Sequence, residues 1–263
     1  MKSLYVAMLF SALVMSGCYT PHFLPNTVPV PMFDKAGNVR LAGYAGTNSY
    51  DVHVGVSPVE YIGILGAGSY SRNKKVDTKD NNEKPDDEAE YTHGHRYYEG
   101  ALVVYFSPGT IKNDILKLEI LAGYGKGTAN GSIDTGKKDF LGFTVPTNHV
   151  NADYQQYYIQ LNAGFNNVEV NRDTQERSGG SLEYGSVFRF SKTRYSNFEK
   201  DSQPIKIDPM EGTFIQAGLF ASIGGSGSGV TFQAGWLYPI ADDVNRPSYS
   251  PLFIAAGLRI GLW

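Results

Sequence analysis

Ten times between residues 38 and 263 the chain alternates apolar and polar side chains with a period of two. The segment cores are 38–46, 50–57, 60–71, 95–106, 115–126, 153–166, 181–192, 212–222, 229–238 and 252–263, most of them near the ~9–11 residues of a tilted membrane-spanning strand. In the sixth, Tyr157, Ile159, Leu161, Ala163 and Phe165 share one face, and Gln156, Tyr158, Gln160, Asn162 and Gly164 the other. The second sets Tyr50, Val52, Val54 and Val56 against Asp51, His53 and Gly55. The fifth opposes Leu116, Leu118, Ile120, Ala122 and Tyr124 to Lys117, Glu119, Leu121 and Gly123, and the seventh opposes Leu182, Tyr184, Phe188 and Phe190 to Glu183, Gly185, Val187, Arg189 and Ser191. Faces of this kind suit strands with lipid outside and a polar lumen inside. The fold expected is all-β, an antiparallel up-and-down transmembrane barrel of ten strands, or eight if the first two segments stay outside it. Period two alone does not say which face is outward.

Mean hydropathy is −0.27. After residue 18 no stretch approaches the ~20 apolar residues of a spanning helix, whereas barrel strands average to near-neutral hydropathy. Connection lengths supply an independent cue. The odd-numbered connections, 47–49, 72–94, 127–152, 193–211 and 239–251, are long after the first. The even-numbered ones, 58–59, 107–114, 167–180 and 223–228, are mostly shorter. Outer-membrane barrels alternate long extracellular loops with short periplasmic turns, so this parity places apolar faces outward and both ends of the barrel domain at the periplasmic side.

The first residues carry an address. Lys2 is a positive n-region, Leu4 to Met15 an apolar core, and Ser16-Gly17 are small residues before Cys18, the only cysteine. This reads as a lipoprotein signal over 1–17 with lipidation at Cys18, which also explains a solitary thiol in an exported chain. Acyl chains such as palmitate contribute ~0.8 kcal/mol per buried CH₂. Residues 18–37, with Pro21, Pro25, Pro29 and Pro31, suit an extended lipidated tether that packs little by itself. The barrel domain is 38–263. Parity and lipid together predict an anchor in the inner leaflet of the outer membrane of a Gram-negative bacterium, with the bilayer and the barrel-assembly machinery as partners.

Several motifs resemble the uncharacterised outer-membrane β-barrel lipoproteins of Bacteroidota. These are Cys18-Tyr19-Thr20-Pro21, Pro31-Met32-Phe33-Asp34-Lys35-Ala36-Gly37, Tyr157-Tyr158-Ile159-Gln160 and Ser186-Val187-Phe188-Arg189-Phe190-Ser191. The resemblance spans most of the mature chain and implies location and fold; it implies no reaction. Surface-exported lipoproteins of such organisms often carry acidic residues after the lipidated cysteine, and Tyr19-Thr20-Pro21-His22 has none.

On the inward faces Asp51, Glu99, Glu119 and Glu183 accompany Arg40, Lys117, Arg189 and Arg259. Charges there must pair across the lumen or meet water, so a polar network closing the barrel is the expectation. His93-Gly94-His95 falls in or beside a long loop, where solvated histidines outweigh a metal site. No catalytic residue, cofactor or metal is assigned. Omptin-type outer-membrane proteases use Asp and His at the extracellular rim, but no matching motif is present. The segment Asp77 to Glu90 is an acidic, hydrophilic loop.

With net charge −3, from 23 basic and 26 acidic residues, the chain lacks the basic surplus of a nucleic-acid binder. The role expected is structural or surface-binding, through the long extracellular loops. The alternatives are a periplasmic lipocalin-like lipoprotein holding an apolar ligand, and a rim-active outer-membrane hydrolase.

Overall fold

The structure, a computed structural model, describes residues 26–47, 49–71, 76–78, 89–111, 114–134, 148–170, 177–200, 203–204, 211–225, 228–240 and 252–262. Its barrel strands are β1 (Val39–Gly46), β2 (Tyr50–Val59), β3 (Ile62–Ser71), β4 (Ala89–Ile111), β5 (Asp114–Asp134), β6 (Asn148–Val170), β7 (Arg177–Lys200), β8 (Glu211–Gly224), β9 (Ser228–Pro239) and β10 (Leu252–Leu262). Each pairs antiparallel with the next, and β1 pairs with β10 from Val39↔Leu262 to Gly46↔Ala255, so the sheet closes. Ten strands form an up-and-down barrel, and the first two segments are full members of it. Closure removes every free edge. Short strands Val76–Thr78 and Gln203–Pro204 pair with the ends of β4 and β7.

Strands β4 to β7 run to 23, 21, 23 and 24 residues, well beyond the segments that alternation marks. Their far ends, such as Gly127-Thr128-Ala129-Asn130-Gly131-Ser132, have no apolar face to alternate, yet their backbones stay paired. Connections at the end shared by Val39 and Leu262 are 60–61, 112–113, 171–176 and 225–227, the first as short as expected and the other three shorter. The expected long turn at 167–180 is mostly strand. The opposite mouth has a tall wall, because β4 runs six residues past His95, the partner of Ser71 at the end of β3.

The apolar faces point outward. Ile159, Phe188 and Leu258 are 62%, 54% and 67% exposed, while Asp51, Gln160, Glu183 and Arg189 are buried in the lumen. Inside, tyrosine rings seat over small residues. Gly123, Gly125 and Gly127 share the inner face of β5, and a Cβ on them would overlap the rings of Tyr158, Tyr97 and Tyr154 respectively. The Gly-x-Gly-x-Gly spacing follows from the strand period, since only every second residue faces inward. Above them His95, Tyr97 and Tyr154 stack nearly parallel, and Tyr97 and Tyr154 form a cluster with Tyr195, Phe214 and Leu237.

Candidate functional site

The lumen holds the chain's own N-terminal segment. Residues 26–34 form no regular secondary structure, as an extended tether would, but they are not outside the barrel. Val28 and Met32 are completely buried, and Phe33 lies against Tyr105 with ring centroids 5.5 Å apart. The expectation that this stretch packs little is corrected: it threads the barrel.

Extended backbone inside a protein must find partners for every N–H and C=O. Pro29 and Pro31 have no N–H, which reduces the demand. Lumen side chains supply partners for many of the others. Thr27 donates its N–H and its hydroxyl to Asp51 Oδ2, at 3.0 and 2.7 Å. Val28 donates to Gln233 Oε1 at 3.0 Å and accepts from Gln233 Nε2 at 2.9 Å, as a neighbouring strand would. Gln160 Nε2 donates to the Pro29 carbonyl at 2.6 Å, Lys117 Nζ to the Met32 carbonyl at 3.3 Å, and Gln216 Nε2 to the Asn26 carbonyl at 2.9 Å. Phe33 N–H donates to Glu119 Oε1 at 2.8 Å.

The partners descend in order. Asn26 and Thr27 meet Ser69 and Asp51 near the loop ends of β3 and β2, and Gly37 donates to the Ser57 carbonyl near the turn end. Phe33 sits over Gly55 and Gly63, where a Cβ would press into its ring. Met32 has a φ of 49°, and Gly37 one of 83°. The chain thus reverses at the turn end before entering β1. Left-handed backbone at a non-glycine residue is strained, and here it is held by the surrounding contacts.

Lumen charges fall into separate groups. In one, Arg189 forks onto Glu99 with both nitrogens at 2.9 Å, its Nε donates to Gln160, and its guanidinium lies 3.9 Å from the Tyr158 ring centroid. Towards the turn end, Lys117 bridges Asp34 at 2.5 Å and Glu183 at 3.1 Å, Arg40 holds Asp34 at 2.7 Å, and Arg259 contacts Glu183. Glu119 stands beside them, accepting from Asn162 at 2.9 Å. Three acidic side chains, Asp34, Glu119 and Glu183, thus stand among three basic ones, Arg40, Lys117 and Arg259, so that opposite formal charges face one another inside the barrel. Asp51, with Thr27 and His53, makes a third group near the loop end.

All seven residues of the expected network face the lumen, but the thread divides and bridges them. Sequence reasoning missed Thr27, Asp34, Tyr97 and Gln233, and gave Gln160 and Asn162 a polar, inward face without a place in the network. The usable signals were prolines that delete donors and glycines, 55 and 63, that make room. His95 is not a solvated loop residue: it is buried in β4, its Nε2 2.5 Å from the Tyr154 hydroxyl. His93 lies two residues before it in that strand, its side chain outside the described residues. Cys18, the signal segment 1–17 and most of the acidic loop also lie outside them.

Beside the thread a narrow gap remains, lined by Val30, Pro31, Arg40, Tyr44, His53 and Arg259. It has room for about one water molecule. Among the described residues no three His, Cys, Asp or Glu side chains converge as a metal set would. No protein-family model matches the chain, and no curated protein matches it in sequence.

Proposed function

We propose that the chain is an outer-membrane barrel, lipid-anchored through Cys18, that acts as a closed scaffold with a structural or surface-binding role through its long loops. The observation that carries this reading is the apolar exterior joined to a filled interior. Exposed Ile, Leu, Val and Phe side chains cover the outside between two levels of exposed aromatics. Tyr50, Tyr70, Tyr98, Trp236 and Tyr238 lie towards the loop ends of their strands, and Tyr61, Phe106 and Tyr184 towards the turn ends. Aromatic rings at two levels around an apolar band match the two interfaces of a bilayer. In water such a band would be an aggregation surface far larger than soluble monomers carry.

A filled lumen speaks against passive transport and against an apolar ligand inside, since charged and amide side chains line the space and the thread occupies it. A rim-active hydrolase has less support, because His95 is committed to Tyr154 in a packed aromatic stack.

The test is heat-modifiability of the Cys18→Ala protein, exported with a substitute cleavable signal and recovered from carbonate-washed outer membranes. Retention with a boiling-dependent mobility shift is expected. Release into the periplasm would refute the integral barrel and favour a lipid-tethered soluble one.

A further inference from the structure

Resting on that lipid-anchored reading, we propose that the acyl anchor on Cys18 lies in the outer leaflet, at the loop mouth of the barrel, and not in the inner leaflet that connection parity, lipidation and the lack of acidic residues after Cys18 lead one to expect. The argument is one of direction and reach. The thread enters β1 at the turn end, where Gly37 and Asn38 bond to Ser57. Followed backwards, it climbs through Glu119, Gln160 and Gln233 to Asp51 and Ser69, so Asn26 stands near the loop mouth. Asp51 is the second residue of β2, next to Tyr50, which pairs with Tyr70 across the exposed aromatic level.

Eight residue steps separate Cys18 from Asn26. At no more than ~3.6 Å each they reach about 29 Å. To enter the inner leaflet the chain would have to cross the rim and descend past a hydrocarbon layer about 30 Å thick, or return down a lumen that the thread already fills. The outer leaflet begins at the aromatic level itself. Asn26 itself is held between Ser69 of β3 and Gln216 of β8, both on the loop side of the lumen. The leash is long enough for the near leaflet and too short for the far one.

The experiment writes an epitope tag over the residues around His22 and Phe23, residue for residue so that the leash keeps its length, and, in a second version of the full chain, places the same tag in the 112–113 turn. Antibody binding is measured on intact and permeabilised cells, with metabolic labelling by an alkyne palmitate in parallel. The expected result is palmitate labelling that Cys18→Ala abolishes, a His22–Phe23 tag bound on intact cells, and a turn tag bound only after permeabilisation. Any other pairing of tag exposures overturns the surface placement. Absence of palmitate labelling overturns the anchor. Loss of both tags to the soluble periplasm in the Cys18→Ala background overturns the membrane reading beneath the proposal, an outcome distinct from the other two.

Discussion

Arg189 and Glu99 face each other across the lumen as a two-pronged pair, 90 residues apart in sequence and both nearly without solvent contact. Breaking one half of a buried pair leaves a charge stranded, which costs about 3–5 kcal/mol. Glu99→Leu is therefore expected to destabilise strongly, and Glu99→Leu with Arg189→Met to recover much of the loss. Urea unfolding of the protein refolded in detergent micelles, run as a double-mutant cycle, measures the coupling. Equal stability of Glu99→Leu and the parent would show that the pair does not support the fold.

Removing residues 26–33 takes the thread out of the lumen without cutting any strand. In planar bilayers the intact protein is expected to be silent and the deletion variant to show discrete conductance steps. A subtler change, Phe33→Ala, removes the ring from above Gly55 and Gly63, and should cost about 3–5 kcal/mol without opening a path. Equal conductance of the intact and deleted forms would mean that other groups seal the barrel.

The seat of Tyr97 over Gly125 predicts a size-dependent rescue. Gly125→Val should destabilise by at least ~1–3 kcal/mol through overpacking. Adding Tyr97→Ala should return part of that stability, although Tyr97→Ala is itself unfavourable. Denaturant midpoints of the three variants test this; simple additivity would count against the contact.

Outward positions should respond to depth. Ile159→Arg lies mid-strand on β6 and is expected to cost about 2–4 kcal/mol in lipid. Lys192→Arg, beside Glu211 and well exposed, is expected to be neutral. Unfolding titrations in vesicles read both. A soluble barrel would tolerate Ile159→Arg with little loss, so the contrast between the two sites separates the environments.

Much of the barrel was legible because each strand of the middle band has one face towards the packed polar lumen and the other outward. Gln160 and Asn162 must face in and Ile159 and Leu161 out, and that opposition writes a period of two into the sequence. Where β4 to β7 rise past the band, the outward residues are polar, as at Thr128, Asn130 and Arg194, and the buried inward ones include small or polar residues such as Ala129, Ala152 and Thr193, so the apolar–polar alternation fades although burial still alternates. The charged lumen residues were legible for the same reason as the strands. The thread was not. Val28-Pro29-Val30-Pro31 prefers an extended backbone in water or in a lumen alike, and the groups that hold it, Gln160 and Gln233, stand 131 and 205 residues away from their partners in the chain. Local sequence carries no trace of that distance.

The segment inside the lumen is continuous with β1, and β1 is one lip of the seam that β10 completes. Among the described residues seven strands, β1, β2, β3, β5, β6, β8 and β9, hold the segment by hydrogen bonds. A cylinder sealed beforehand would have to admit this stretch lengthwise, past Tyr158, Phe220 and the clasping glutamines. Assembly is far simpler if the sheet curls around a strand of its own chain already laid along the axis, as cloth is rolled on a rod. The stretch that precedes the first strand would then be the former on which the last strand is fastened.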